Sequence, residues 1–266
     1  MGHNFKIDHL FDLSGRVALI TGGAQGNGAA IAETLSNAGA MSIAADLQYQ
    51  NVTISESNKT GSKVFPIYID VSDEENVRKC IKEIIQRFDK IDILVNNAGV
   101  MYKSPIEETD INQWKKVIDI NLTGATICTK AVIPSMKKLS WGRIINMSST
   151  QAYLHTPTYS AYSATKAALS HLTKIWATEL APHGINVNAL CPGYVMTPMM
   201  ERSIAKRQQE ASLSREEAIK SFVEKIPQKR ILDPAEVANW TWILCSKISD
   251  SLTGANISIS GGWVMH

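Results

Sequence analysis

Val17-Ala18-Leu19-Ile20-Thr21-Gly22-Gly23-Ala24-Gln25-Gly26-Asn27-Gly28 runs from an apolar stretch straight into a cluster of glycines, and apolar residues at helical spacing follow over 28–38. A strand, a glycine-rich turn and a helix in that order open a parallel crossover. Glycine lets backbone approach an anion closely, and the helix N-terminus adds unpaired N–H donors at the positive end of its dipole. The stretch therefore predicts a cradle for the pyrophosphate of a dinucleotide, built from Gly22, Gln25, Gly26, Asn27 and Gly28, rather than a tight turn alone.

Outward from it, short β-branched runs alternate with longer segments of helical period. Strands are expected over 17–21, 41–46, 64–70 and 91–95, with helices over 28–38 and 74–88. The crossover over 48–62 is polar and irregular. Beyond it come a long helix over 111–139 containing Pro134, a strand over 143–148, a helix over 162–180 and a strand over 186–190. Residues 197–231 carry many charges and few β-formers and read as a helical excursion. Asp233, Pro234 and Glu236 open a helix through Ile243, with an N-cap, a proline at the first position and an early acid; a strand over 256–259 follows. No repeat or linker divides the chain. The expectation is an α/β fold over residues 1–266, a single-domain Rossmann-like doubly wound parallel sheet of seven strands with helices on both faces and ligands at the carboxyl ends of the strands.

The bulk numbers exclude several classes. At 266 residues and 44% hydrophobic content the chain can bury one large core. A net charge of +2 without a basic run gives no surface for nucleic acid. Cys80, Cys128, Cys191 and Cys245 are scattered, as reduced thiols are, and the six histidines show no metal-ligand spacing. Residues 1–13 hold no apolar run suited to a signal peptide or a membrane span, and Lys6 stands where myristoylation needs Ser or Thr. A soluble cytoplasmic protein with no metal is expected.

Asp46 ends the second strand, where a carboxylate grips an adenosine ribose diol and repels a 2′-phosphate, so NAD is expected over NADP. Its other reading is a cap on the next helix. Leu47 follows it, with no arginine to rescue phosphate binding. Asp70 and Val71 either meet the adenine edge or form the turn before Glu74. Asn97-Ala98-Gly99 either admits the cofactor ribose close to the backbone or simply turns the chain. Tyr162 and Lys166 project from one helix face. An ammonium about 5 Å from a phenol at a dielectric near 20 contributes on the order of 3 kcal/mol, which would bring the tyrosine from about 10 toward 8.

The glycine-rich turn, Asn96-Asn97-Ala98-Gly99, Asn121, Ser148-Ser149, Tyr162-Ser163-Ala164-Thr165-Lys166 and Pro192-Gly193 occur in this order, and together they resemble the short-chain dehydrogenase/reductase family over residues 13–262. The resemblance implies hydride transfer between nicotinamide and a secondary alcohol or ketone, a catalytic tetrad of Asn121, Ser149, Tyr162 and Lys166, and a homotetramer. Ser149 rather than Ser148 has the family's spacing to Tyr162. Lys166 would also hold the nicotinamide ribose, and Pro192, Gly193, Val195 and Thr197 would lie beside the nicotinamide carboxamide. Asn27, where an aliphatic residue is usual, and Ala152, where many members have glycine, depart from the pattern. Gln151, Tyr159 and Tyr194, with Thr150 and His155, are the polar candidates for the substrate pocket; Met101, Met199 and Met200 are its apolar ones. The polar set suits a polyol, sugar or small hydroxy acid, and the methionines a bulkier ketone. The excursion over 197–231 would close over either. An NADPH-dependent 3-oxoacyl-thioester or carbonyl reductase is the runner-up, opposed by Asp46; a nicotinamide-sensing scaffold would lack part of the tetrad.

Overall fold

The computed structural model describes residues 8–50, 52 and 64–265. Its elements are α1 (Asp8–Phe11), β1 (Val17–Thr21), α2 (Gly26–Asn37), β2 (Met41–Asp46), β3 (Val64–Tyr68), α3 (Glu74–Phe88) and β4 (Ile93–Asn96). There follow α4 (Ile111–Ile118), α5 (Gly124–Leu139), β5 (Gly142–Met147), α6 (Ser160–Leu180), β6 (Ile185–Pro192), α7 (Pro198–Ala211), α8 (Arg215–Val223), α9 (Pro234–Cys245) and β7 (Asn256–Ile259).

The strands form one parallel sheet of seven in the order β3-β2-β1-β4-β5-β6-β7. Successive side chains of a strand face opposite layers, and with helices on both faces the central strands β1, β4, β5 and β6 are buried at every position. Leu19, Ile43, Leu94, Ile144 and Val187 join the core beneath α3, α5 and α6. Residues of the same strands that face the other way, Ile20, Ala44, Ile93, Ile145 and Leu190, join the core beneath α2 and α9. Strand order reverses between β1 and β4, and the two connections leaving that point in opposite directions open a crevice at the carboxyl ends.

All seven expected strands are present, with ends moved by a few residues: β3 stops at Tyr68, β4 starts at Ile93 and β6 runs on to Pro192. The crossover over 48–62 lies largely outside the described residues. The long helix expected over 111–139 is not one α-helix. A π turn at Asp119–Thr123 separates α4 from α5, because the Asn121 side chain turns inward to bond backbone across the site. Pro134 neither ends nor shortens α5, which continues to Leu139.

The excursion folds as α7 and α8 around Met200, Ile204 and Ala218, a small core of its own. Thr197 caps α7 ahead of Pro198, and Ser214 and Glu217 form a capping box on α8. Its two ends are strapped together, since Met196 N donates to Leu232 O at 2.9 Å and Leu232 N to Tyr194 O at 2.9 Å.

Candidate active site

The glycine-rich turn is shaped by close approaches that only glycine permits. Gly22 has φ +66°, and a Cβ there would lie 2.9 Å from Ala98 Cα. A Cβ on Gly28 would lie 2.0 Å from Gly22 O, so Gly28 stands behind the turn and does not line the cavity in front of it. Asn97 ties the turn to the end of β4, its Nδ2 donating to Thr21 O at 2.9 Å and Gly22 O at 3.0 Å. Asp46 accepts from Ala24 N at 3.1 Å and Gln48 N at 3.0 Å, so the carboxylate both steadies the turn and faces the cavity.

A cavity of about 480 Å³ runs from this turn across the carboxyl ends of the strands. Gly22, Gln25, Gly26 and Asn27 line it, as do Asp46 and Leu47 on one side and Asp70 and Val71 on another. Asn97, Ala98 and Gly99 form its floor, and Pro192, Gly193, Val195 and Thr197 its far wall. Asp70 also accepts from Ser72 N at 2.9 Å, so its turn-forming reading holds alongside its place in the wall. The cradle fits a dinucleotide: side chains at Gly22, Gly23 and Gly28 would collide with backbone, and Asn27 Oδ1 is buried there without a hydrogen-bond partner.

Ser149 caps a short turn at the end of β5, where its Oγ accepts from Gln151 N at 3.1 Å, and it lines the cavity together with Tyr162. Ser148 is used differently, its Oγ donating to Lys166 O at 2.9 Å and sharing a 2.7 Å hydrogen bond with Ser170. Lys166 Nζ donates to Met147 O at 2.7 Å and lies 5.5 Å from the Tyr162 ring centre. Asn121 accepts from Val100 N at 2.8 Å and donates to Val100 O at 2.9 Å and Thr165 Oγ1 at 3.3 Å. A Cβ on Gly99 would meet Asn121 Oδ1 at 3.4 Å and Lys166 Nζ at 3.7 Å, so the three converge at the cavity floor. Asn121 does not itself line the cavity.

Electrostatics correct one expectation. Burial pushes the Tyr162 phenol up to about 12, against a lowering by the Ser149 hydrogen bond and a further raising by Tyr159. Burial also pushes Lys166 down to about 8. A Tyr162 value near 8 counted the attraction between ammonium and phenolate but not the cost of stripping water from either, and desolvation is the larger effect.

At the substrate end, Gln151, Tyr159, Tyr194 and Thr150 line the cavity with Met101, Met199 and Met200. His155 is exposed and lies outside it. Tyr194 packs between Phe222, with centroids 5.3 Å apart, and Trp263, at 4.8 Å. Burial raises the Tyr194 phenol to about 12. Sequence reasoning passed over Val100, Ile120, Arg202, Ser203 and Phe222. For Arg202 and Ser203 a signal existed: they follow Met199 at the spacings that share a helix face.

Comparison with known proteins agrees with this fold. The short chain dehydrogenase family profile matches residues 16–208. The D-beta-hydroxybutyrate dehydrogenase of Rhizobium meliloti (strain 1021) is 34% identical over 253 residues, covering 93% of this chain and 98% of the relative. The 3-oxoacyl-(acyl-carrier-protein) reductase FabG of Thermotoga maritima is 36% identical over 255 residues, covering 95% and 99%. The crystal structure of a putative gluconate dehydrogenase from Agrobacterium tumefaciens superposes with a TM-score of 0.86 at 31% identity, covering 96% of this chain and 99% of that one.

Proposed function

Because the chain belongs to the short-chain dehydrogenase/reductase family, whose members are oxidoreductases using a nicotinamide cofactor, we propose that it is an NAD(H)-dependent dehydrogenase of a secondary alcohol in a polyol, sugar or small hydroxy acid, with Tyr162 as acid/base. One observation carries this reading: Ser149, Tyr162 and Lys166 line the same cavity as the glycine-rich turn and Asp46.

In the oxidative direction Ser149 holds the carbinol oxygen by a hydrogen bond, and Tyr162 takes its proton. Bound nicotinamide supplies the hydride acceptor, or the donor in reverse. Lys166, fixed to Met147 O, favours the phenolate with its charge and presents its ammonium to the ribose. Asn121 keeps Val100 and Thr165 in register, and Thr165 in turn donates to Tyr162 O at 2.7 Å. Asp46, followed by Leu47 and Gln48 rather than arginine, supports NAD over NADP. The likeness to FabG supports a second reading, an NADPH-dependent thioester reductase, against which Asp46 weighs.

The strapped excursion of α7 and α8 serves as a lid that excludes water during transfer. Exposed Ile111 and Ile175 on one flank and Trp240, Ile248 and Leu252 on another support a homotetramer. Free, buried thiols at all four cysteines support a cytoplasmic setting. Among the described residues no helix is long and apolar enough to cross a membrane, and no cluster of three metal-ligating side chains occurs.

Nicotinamide absorbance with NAD and NADP over polyols, hydroxy acids and hydrophobic alcohols tests the proposal. NAD is expected to give the higher kcat/KM, and Tyr162→Phe to lose on the order of a thousandfold. A mutant as active as the parent would end the mechanism; equal use of NADP would end the cofactor reading.

A further inference from the structure

The substrate end of the cavity carries polar groups that the hydride chemistry does not use. Met199, Arg202 and Ser203 share the face of α7 that lines the cavity. No ion pair among the described residues engages Arg202, because both acids of α7 are held elsewhere. Glu201 accepts from Arg215 Nη1 and Nη2, each at 2.8 Å, and Glu210 lies 3.5 Å from Lys206 Nζ. Lys103 Nζ sits 4.5 Å over the ring of Tyr159, which lines the same wall, so the rim is cationic. Below it, Gln151 is 5% exposed, and its Oε1 is buried without a hydrogen-bond partner. Buried acceptors are rarely left unpaired, and a ligand hydroxyl in this cavity would supply the donor.

From this juxtaposition we infer that Arg202 recognises an anion, and that the substrate is a hydroxy acid with at least one hydroxyl beyond the reacting one. Its carboxylate takes the guanidinium fork of Arg202, and its second hydroxyl donates to Gln151. The inference rests on the dehydrogenase reading and narrows its substrate class. A single guanidinium matches the two oxygens of a carboxylate by paired N–H donors. A phosphate monoester, with three terminal oxygens and nearly two charges, calls for more donors than one such group presents.

The test compares glycerate, threonate and gluconate with glycerol, threitol and glucitol in the wild type, Arg202→Leu, Arg202→Lys and Gln151→Leu. Arg202 is exposed on the lid, so its replacement leaves the core intact. Steady-state kinetics with NAD should give a tenfold or greater preference for the acids. Arg202→Leu should bring the acid-to-alditol ratio of kcat/KM toward unity through KM, and Arg202→Lys should recover part of it. Calorimetric binding of the same acids in the presence of NADH, a pair that cannot react, should weaken tenfold or more in Arg202→Leu. Equal loss for acids and alditols, or a preference for glycerol 3-phosphate or a 3-hydroxyacyl-CoA over every acid, would overturn the inference. Turnover with acid binding indifferent to Arg202 would sink this inference alone. Acid binding that needs Arg202, in a protein that turns over no alcohol, would sink the dehydrogenase reading alone.

Discussion

Lys166 shows at the scale of one residue how function opposes stability. Its ammonium is buried with a carbonyl and no carboxylate as its hydrogen-bond acceptor, and burial holds its pKa at about 8, below its ordinary 10.5. A depressed pKa on a base means that the unfolded chain binds more protons between those two values, so this group makes stability rise as pH climbs from about 8 to 10.5. Below pH 8 the full cost of burying the charge is present, and it amounts to roughly 3 kcal/mol. Lys166→Met should therefore be inactive yet more stable than the parent at pH 7, by a margin that shrinks toward pH 10. Thermal or urea midpoints recorded from pH 6.5 to 9.5 check this, and a variant destabilised equally at every pH would refute it. Above pH 10 the raised phenol of Tyr162 acts in the opposite sense, which is why the window stops there.

The π turn between α4 and α5 is the element on which the site's geometry hinges. It brings Asn121 inward, and both polar ends of that side chain bond the backbone of Val100. Asn121→Leu would keep the volume and strand the Val100 N–H and C=O, at a cost of about 1–3 kcal/mol. The urea midpoint should fall with an unchanged m-value, and kcat should drop tenfold or more with a displaced pH profile, because Thr165 and Lys166 lose their neighbour. An unchanged profile would reduce Asn121 to a structural amide. This element also marks where the sequence stopped being legible. A short apolar run such as 17–20, closed by glycines, reads as a strand of a covered parallel sheet, and glycines whose Cβ atoms would strike backbone mark the cradle. One extra residue in a helical turn barely disturbs the apolar period, so the π turn left only a polar residue inside an apolar helix as its trace. The Tyr162 pKa was illegible for a different reason: pair spacing is local, whereas the desolvation that outweighs it comes from the whole fold. Arg202 was missed because, of the excursion that closes over the substrate, only Met199 and Met200 were placed in the pocket, although Arg202 follows Met199 at a spacing that shares its helix face.

Across the whole molecule, chemistry and cohesion occupy opposite ends of the same strands. The cavity lies at the carboxyl ends; at the amino ends, Asp92 is buried completely just before β4 and accepts from Val17 N at 2.9 Å. Arg16 pairs with it at 2.8 Å and Lys90 at 3.2 Å, while Arg16 also stacks 3.6 Å over Trp141 beside β5. One carboxylate thus gathers the entries of three central strands. Asp92→Asn keeps the shape and an acceptor for Val17 N but removes the charge that both cations face. Breaking a buried pair costs about 3–5 kcal/mol. Arg16 and Lys90, with side chains 28% and 29% exposed, can turn toward water, so a loss near the lower end is expected. The denaturation midpoint should fall by that amount, while kcat, KM and NAD affinity stay within about twofold of the parent. The core strands are rigid and fully packed, so loosening their entries changes how often the sheet opens rather than where Tyr162 and Ser149 stand when it is closed. A large rise in KM with little change in midpoint would show instead that the amino ends set the cavity's shape, and that the two ends of this sheet are mechanically coupled.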